Sequence, residues 1–279
     1  MHIKAFQIGQ QQATELQFDS FTFNGGEEHV RITNVVEQVS HIEITTRLNN
    51  SAAFMQLAVT VDALQRQYGN QVALELVAPY FPYARQDRVC NEGEALGVAV
   101  MAKLINALNF QKVTIWDAHS DVTPALINNV VNLPQAVLLA RHQGLVDQLK
   151  AGELTLIAPD AGAAKKVHNL AKYFGGGIAV VQAEKVRDVA TGEITHTAIF
   201  GDITNKDVLI TDDICDGGRT FIELAKVLKQ QGAKRVSLFV THGIFANGLA
   251  VFDGLIDAIY TSESFPAPEL SGAIELHIA

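Results

Sequence analysis

Short apolar runs alternate with amphipathic stretches along most of this sequence, and that alternation limits the fold more than any other feature. A short apolar run bounded by turn residues reads as a buried strand, and apolar positions three and four residues apart read as a helix with one buried face. Strands and helices in alternation build mainly parallel sheets covered by helices, so the expected class is α/β. The spacing predicts helices over Ser51 to Tyr68, Glu94 to Leu108, Ala163 to Tyr173 and Thr220 to Gln231. It predicts strands over Ala73 to Pro79, Lys112 to Trp116, Leu154 to Ala158, Ile178 to Gln182, Val208 to Thr211 and Arg235 to Thr241.

A chain of 279 residues, 48% hydrophobic, has the length for two medium domains rather than one small one. No repeat, low-complexity tract or long linker marks a border, so the border is expected as a short crossover near Pro134 to Val137, giving domains 1–136 and 137–279. A net charge of -9 argues against a broad nucleic-acid surface while leaving room for a local basic pocket that takes small phosphorylated ligands. Cys90 and Cys215, the two cysteines, have neither CxxC nor Cys/His spacing, so neither a disulfide framework nor a structural zinc site is expected and a reducing cytoplasm fits. Met1 to Gln7 lacks the apolar core of a signal peptide and no run approaches membrane-spanning length, so no membrane partner is expected.

The chemistry gathers where predicted strands end. Asp212-Asp213-Ile214-Cys215-Asp216-Gly217-Gly218-Arg219-Thr220 follows an apolar run and precedes a helix. Two glycines let backbone N–H groups converge, the helix offers its positive end to an anion, and Thr220 adds a hydroxyl. Asp212 and Asp213 would repel a bare phosphate, so they suit sugar hydroxyls or a metal beside it. The alternative is that the acids cap the helix and the glycines only shape the loop. Trp116 leads likewise into Asp117-Ala118-His119, and Ala158 into Pro159-Asp160-Ala161-Gly162. Ligands of open α/β sheets bind beyond the carboxyl ends of strands, so three acidic strand tips suggest one hydroxylated, phosphorylated, metal-bound ligand.

Tyr80-Phe81-Pro82-Tyr83-Ala84-Arg85-Gln86-Asp87-Arg88, Asp117-Ala118-His119, Pro159-Asp160-Ala161-Gly162 and Asp212 to Thr220 together resemble, in order and spacing along nearly the whole chain, the ribose-phosphate diphosphokinase family, which makes phosphoribosyl diphosphate. Phe23-Asn24-Gly25-Gly26-Glu27 is similar to an early segment of that family, and Thr241-His242-Gly243 to a late one. PYARQDR is the specific match, since phosphoribosyltransferases share the acidic glycine loop.

The resemblance implies two phosphoribosyltransferase-like α/β domains, each with a central mainly parallel sheet flanked by helices, with the active site between them. It implies transfer of the β,γ-diphosphate of ATP to the anomeric hydroxyl of ribose 5-phosphate with release of AMP, a requirement for Mg²⁺, and a homo-oligomer, dimer or hexamer, in which a neighbouring subunit also touches ATP. Lys185 and Arg187 match the catalytic pair of a mobile loop; by themselves they read as a solvated basic hairpin. Arg85, Gln86, His119, Phe23 and Glu27 match ATP contacts. Arg85 with Asp87 and Arg88 also reads as a surface ion-pair cluster, and Phe23 equally as core. His119 and Asp160 match metal-binding positions, Asp160 being the natural oxygen donor for Mg²⁺, while His119 alone reads as a hydrogen-bonded strand-end residue. Asp212 and Asp213 are expected on the sugar hydroxyls, and Asp216, Gly217, Gly218, Arg219 and Thr220 around the 5-phosphate.

Several positions depart from the family pattern. Gly217 lacks a hydroxyl that is common there, Arg219 adds a cation, and Gly25 replaces a usual polar side chain. Ser120 to Leu126 replaces a glutamine-rich continuation, and the sequence ends near the family's last strand, so a divergent, minimal member is expected, with the choice between dimer and hexamer and any feedback control left open. A phosphoribosyltransferase and a non-catalytic regulatory homologue are the alternative functions.

Overall fold

The structure is a computed structural model that describes residues 1–187, 194–270 and 274–279, the side chains of 185–187 and 194–197 excepted. The chain forms two compact units, Met1–Leu133 and Pro134–Ala279.

In the first unit the elements run β1 (His2–Gln7), β2 (Thr14–Glu15), β3 (Phe18–Thr22), β4 (Glu28–Ile32), β5 (Val39–Thr45), α1 (Ser51–Tyr68), β6 (Ala73–Ala78), α2 (Gly97–Ala107), β7 (Lys112–Trp116), α3 (Val122–Leu126) and β8 (Val130–Leu133). A six-stranded sheet has the order β2-β1-β5-β6-β7-β8, and β3 and β4 form a separate hairpin. The pairs β5-β6, β6-β7 and β7-β8 are parallel, whereas β1 is antiparallel to β2 and β5. Helix α1 shows why the helical pattern was readable. The Asn50 side chain accepts the Ala53 N–H at 2.8 Å, the buried residues Leu57, Thr60, Val61 and Leu64 fall on one stripe, and Gly69 ends the helix at φ 82°.

In the second unit the order is α4 (Gln135–Leu139), α5 (Gln143–Ala151), β9 (Leu154–Ala158), α6 (Ala161–Tyr173), β10 (Val180–Arg187), β11 (Ile194–Phe200), β12 (Asp207–Cys215), α7 (Arg219–Gln230), β13 (Arg235–Gly243), β14 (Ala258–Thr261) and β15 (Glu275–Ile278). Its seven-stranded sheet, β11-β10-β9-β12-β13-β14-β15, is parallel except for the β10-β11 hairpin. Strand β9 is buried throughout and β13 nearly so, as expected for sheet strands covered on both faces. Helix α7 buries Phe221, Leu224, Ala225 and Leu228, a stripe of period 3.6, and all four join the core of this unit.

Two expectations are corrected. Asp212 and Asp213 belong to strand β12, which continues to Cys215, and not to a turn after Thr211. The cause is tertiary: β13 runs alongside with Asp212 opposite Val240 and Cys215 opposite Gly243, so a parallel neighbour carries the strand through two residues of poor β-propensity. Helix α2 starts at Gly97 and not at Glu94, because the Glu94 carboxylate instead closes a turn on the Cys90 and Asn91 N–H groups at 2.9 and 3.1 Å.

Candidate active site

The turn from β12 to α7 is the best-defined candidate. Strand β12 ends at Cys215, and Asp216, Gly217 and Gly218 lead into the helix. Gly218 occupies the N-cap position with φ 81°, in the left-handed region, and has no side chain with which to cap the helix. A Cβ on Gly218 would lie 2.5 Å from Cζ of Phe252, so glycine is required by both the backbone angle and the packing. The result is a helix start whose N–H groups receive no cap from the N-cap residue itself. Such a terminus binds anions through converging N–H groups and the helix dipole. Arg219 is its first residue and is exposed.

Acidic charge stands immediately before this helix start. Asp213 is buried and Asp212 half-buried, and Asp212 Oδ1 accepts the Asp213 backbone N–H at 2.9 Å. Burial, then the charge and side-chain hydrogen bonding of Asp213, with a further contribution from Asp160, push the Asp212 carboxyl up to about 8. Three carboxylates therefore feel one another in this unit, and burial with mutual repulsion favours the protonated form of Asp212. Asp160 has a structural task as well: its Oδ1 accepts the Ala163 N–H at 3.0 Å and caps α6. Burial, with Asp216 and Asp212 nearby, pushes the Cys215 thiol up to about 12, which keeps it protonated and inert as a nucleophile.

Two bracing residues were not foreseen from the sequence. The amide of buried Gln135 donates to the Asp212 carbonyl at 2.6 Å. Strand β9 pairs with β12 only as far as Ile157 opposite Ile210, so Gln135 serves β12 beyond the end of that neighbour. Asn247 Nδ2 donates to the Gly217 carbonyl at 3.0 Å. Both contacts span many positions in the chain, 77 and 30 residues, and no local pattern announces them.

In the first unit, Tyr80 to Arg88 follows β6. Phe81 and Ala84 are buried anchors, while Tyr83, Arg85 and Gln86 are exposed, so the segment presents its polar groups on a fixed base. Tyr83 has φ 61°, and Asp117, just after β7, has φ 38°. Positive φ in a residue with a side chain is strained, and such strain is concentrated at ligand sites. The Gln86 amide lies over the start of α2, where a Cβ on Gly97 would come within 2.2 Å of it. His119 is exposed and Asp117 buried.

Phe23 and Glu27 close the β3-β4 hairpin, with the Phe23 N–H donating to the Glu27 carbonyl at 2.9 Å. Phe23 is half exposed, which removes the alternative that it is core. It forms an edge contact with Phe21 at 4.8 Å, and both rings lie against His29. At Gly25 a side chain would overlap the Glu27 carboxylate, so the missing polar group there leaves room for Glu27.

Lys185 and Arg187 are strand positions in β10, opposite Thr197 and Ile194 of β11, with a register irregularity between Val186 and Arg187. Their side chains lie outside the described residues, as does the backbone of 188–193.

Each unit is an α/β layer with a sheet that is mainly parallel, and the second carries an acid pair before a glycine turn at a helix start. These features define a phosphoribosyltransferase-type fold. Consistent with that class, residues 138–248 match the phosphoribosyl transferase domain family, and residues 7–108 match the N-terminal domain of ribose phosphate pyrophosphokinase. A ribose-phosphate pyrophosphokinase of Mycoplasma pneumoniae is 30% identical over 255 residues, covering 88% of this chain and 75% of that protein. One of Thermococcus kodakarensis is 28% identical, covering 91% of this chain and 87% of that protein. The fold resembles the crystal structure of phosphoribosylpyrophosphate synthetase from Mycobacterium smegmatis with a TM-score of 0.76 at 20% identity, over 94% of this chain and 86% of that one. The chain belongs to the ribose-phosphate pyrophosphokinase family.

Proposed function

We propose that this chain transfers the diphosphate of ATP to the anomeric hydroxyl of ribose 5-phosphate, giving 5-phosphoribosyl 1-diphosphate and AMP. Family membership supports the reaction, and the observation that carries the site is the helix start at Gly218, without a side-chain cap, behind the Asp212/Asp213 pair. In the reaction the anomeric oxygen attacks the β-phosphorus, the bond from that phosphorus to the oxygen bridging toward the α-phosphate breaks, and the hydroxyl proton leaves to solvent. Asp212 and Asp213 accept hydrogen bonds from the 2- and 3-hydroxyls. Gly217, Gly218 and Thr220 offer N–H and hydroxyl donors to the 5-phosphate, with Asp216 shaping the turn and Arg219 adding a positive charge. Two bound hydroxyls would offset the burial and the repulsion from Asp213 that raise the Asp212 carboxyl.

Arg85, Gln86, His119, Phe23 and Glu27 are proposed to bind ATP, and Lys185 and Arg187 to neutralise charge on the moving diphosphate. Charge stabilisation and alignment are what diphosphoryl transfer asks of a protein, so no strong general base is needed. Asp160 and His119 are each proposed as magnesium ligands, and a bound ion would neutralise phosphate charge. The Asp160 carboxylate is an oxygen donor of the kind Mg²⁺ prefers, and that ion is commonly held by one or two carboxylates plus substrate phosphates and water; among the described residues no group of three acidic, His or Cys side chains could hold a metal by itself.

Wider aspects belong to the same proposal. The exposed Phe21 and Phe23 on one hairpin support a homo-oligomer contact or an adenine contact there. The two unpaired cysteines support a cytoplasmic setting, and the net charge of -9 speaks against a nucleic-acid partner. Among the described residues no helix is long and apolar enough to cross a membrane. The test is incubation of the protein with ATP, Mg²⁺ and ribose 5-phosphate. AMP should appear in step with ribose 5-phosphate consumed; a phosphoribosyltransferase or a non-catalytic homologue would yield none.

A further inference from the structure

The phosphate loop is held from behind by one short segment. Ile244 and Phe245 donate their N–H groups to the Cys215 carbonyl at 2.9 and 3.1 Å, Ala246 donates to the Asp216 carbonyl at 3.1 Å, and the Asn247 side chain donates to the Gly217 carbonyl at 3.0 Å. Three successive carbonyls thus point at residues 244–247. In a trans peptide the C=O and the following N–H point in opposite directions, and no peptide here is cis. The N–H groups of Asp216, Gly217 and Gly218 are therefore turned away from this segment, as an anion cradle requires.

The last of the three is the one that most needs help. The peptide between Gly217 and Gly218 joins two residues with no Cβ, so rotating it by half a turn meets little steric resistance, and rotation would aim a carbonyl oxygen where the Gly218 N–H belongs. Asn247 is also the one clamp made by a side chain. A Cβ on Gly217 would lie 2.9 Å from its Nδ2, so the lack of a side chain at 217 and the presence of Asn247 occupy one space.

We infer that Asn247 is a positioning residue for ribose 5-phosphate, acting by locking the Gly217–Gly218 peptide with its N–H toward the 5-phosphate. This rests on the reading of the loop given above. It acts through the loop and needs no contact with substrate.

The experiment compares wild type, Asn247→Ala and Asn247→Asp. Calorimetry with ribose 5-phosphate alone measures binding, steady-state kinetics give KM for each substrate, and thermal unfolding reports folding. Loss of one neutral hydrogen bond predicts roughly five- to tenfold weaker ribose 5-phosphate binding in Asn247→Ala. The same rise should appear in KM for ribose 5-phosphate, with kcat, KM for ATP and the unfolding midpoint unchanged. Asn247→Asp keeps the shape but sets a carboxylate oxygen against the Gly217 carbonyl, so it should bind more weakly than Asn247→Ala. A role in general packing predicts the reverse order and a lowered midpoint. Wild-type affinity in both variants, or losses that follow the midpoint, overturns the inference. If wild type binds ribose 5-phosphate but makes no AMP, the proposed reaction fails while the binding series still decides the role of Asn247. If wild type binds no ribose 5-phosphate, both fall.

Discussion

Two strand-to-helix turns of the second unit, β9 to α6 and β12 to α7, begin from the same architecture and close differently. At α6 the Asp160 carboxylate accepts the Ala163 N–H at 3.0 Å, so the helix start carries its own anion. At α7 the N-cap is Gly218, with no side chain to offer, and the nearest acids stand before the loop in β12. A helix start that is already capped by a carboxylate makes a poor phosphate site and leaves an acid suited to a cation. One left uncapped by side chains favours an external anion. The difference suits the two turns to opposite charges, a cation at the first and a phosphate at the second as proposed, and substitutions can test that division.

Gly218→Ala should have the largest effect. Alanine at φ 81° costs about 1–2 kcal/mol, and the overlap with Phe252 adds roughly 1–3 kcal/mol. Urea unfolding should show a loss of about 3 kcal/mol, and AMP formation should cease. At the other turn Gly162→Ala should stay within about 1 kcal/mol of wild type, since helix propensity favours alanine and a Cβ there meets only Asp160 Oδ1 at 3.2 Å. Equal losses at both sites would erase the contrast.

The acid pair gives the next largest effect. Because the folded protein raises the Asp212 carboxyl from near 4 to about 8, the folded state binds a proton that the unfolded state releases earlier. Stability from this group is complete below pH 4 and is lost as pH rises toward 8, on the order of a few kcal/mol. The unfolding midpoint should fall across that interval, and Asp212→Asn should flatten the fall. Saturating ribose 5-phosphate should reduce it too, because hydroxyl donors favour the ionised pair. A midpoint that rises with pH in wild type would contradict the reading of these acids.

Asp160 separates capping from chemistry. Asp160→Ala loses the cap and should cost about 1 kcal/mol, whereas Asp160→Asn keeps a cap oxygen and should unfold like wild type. If the carboxylate also holds the metal, Asp160→Asn should still lower the rate and raise the Mg²⁺ concentration needed. Full activity in that stable variant would leave Asp160 a cap and nothing more.

How much of this was readable depends on whether the determining contacts are local. Strands β7 and β9 and helix α1 fall where the apolar spacing places them, because each carries its own pattern and, for α1, its own cap and stop. The early strands β1 to β5 and the late β14 went unseen. Strand β1 is held by β5, far along the chain, and β3 and β4 form a hairpin of mainly polar residues with no apolar run to mark it. The acids and glycines of the β12 turn were legible as a cluster at a strand end, but the strand continuing through Asp212 depends on β13. Gln135 and Asn247 were invisible for the same reason: an amide bracing a carbonyl far along the chain leaves no periodic trace.

Arg219 has the smallest expected effect and decides how far the phosphate side extends. It is exposed at the first position of α7, where a cation opposes the helix dipole and gains nothing for folding. Arg219→Ala should therefore leave the unfolding midpoint unchanged or slightly raised. If its guanidinium reaches the 5-phosphate, KM for ribose 5-phosphate should rise several-fold, with a salt dependence that the variant loses, since an exposed ionic contact is screened within about 10 Å at 0.1 M salt. An unchanged KM at low and high salt would confine recognition to the N–H groups and hydroxyl of the loop. The phosphate side would then depend on the uncapped helix start alone.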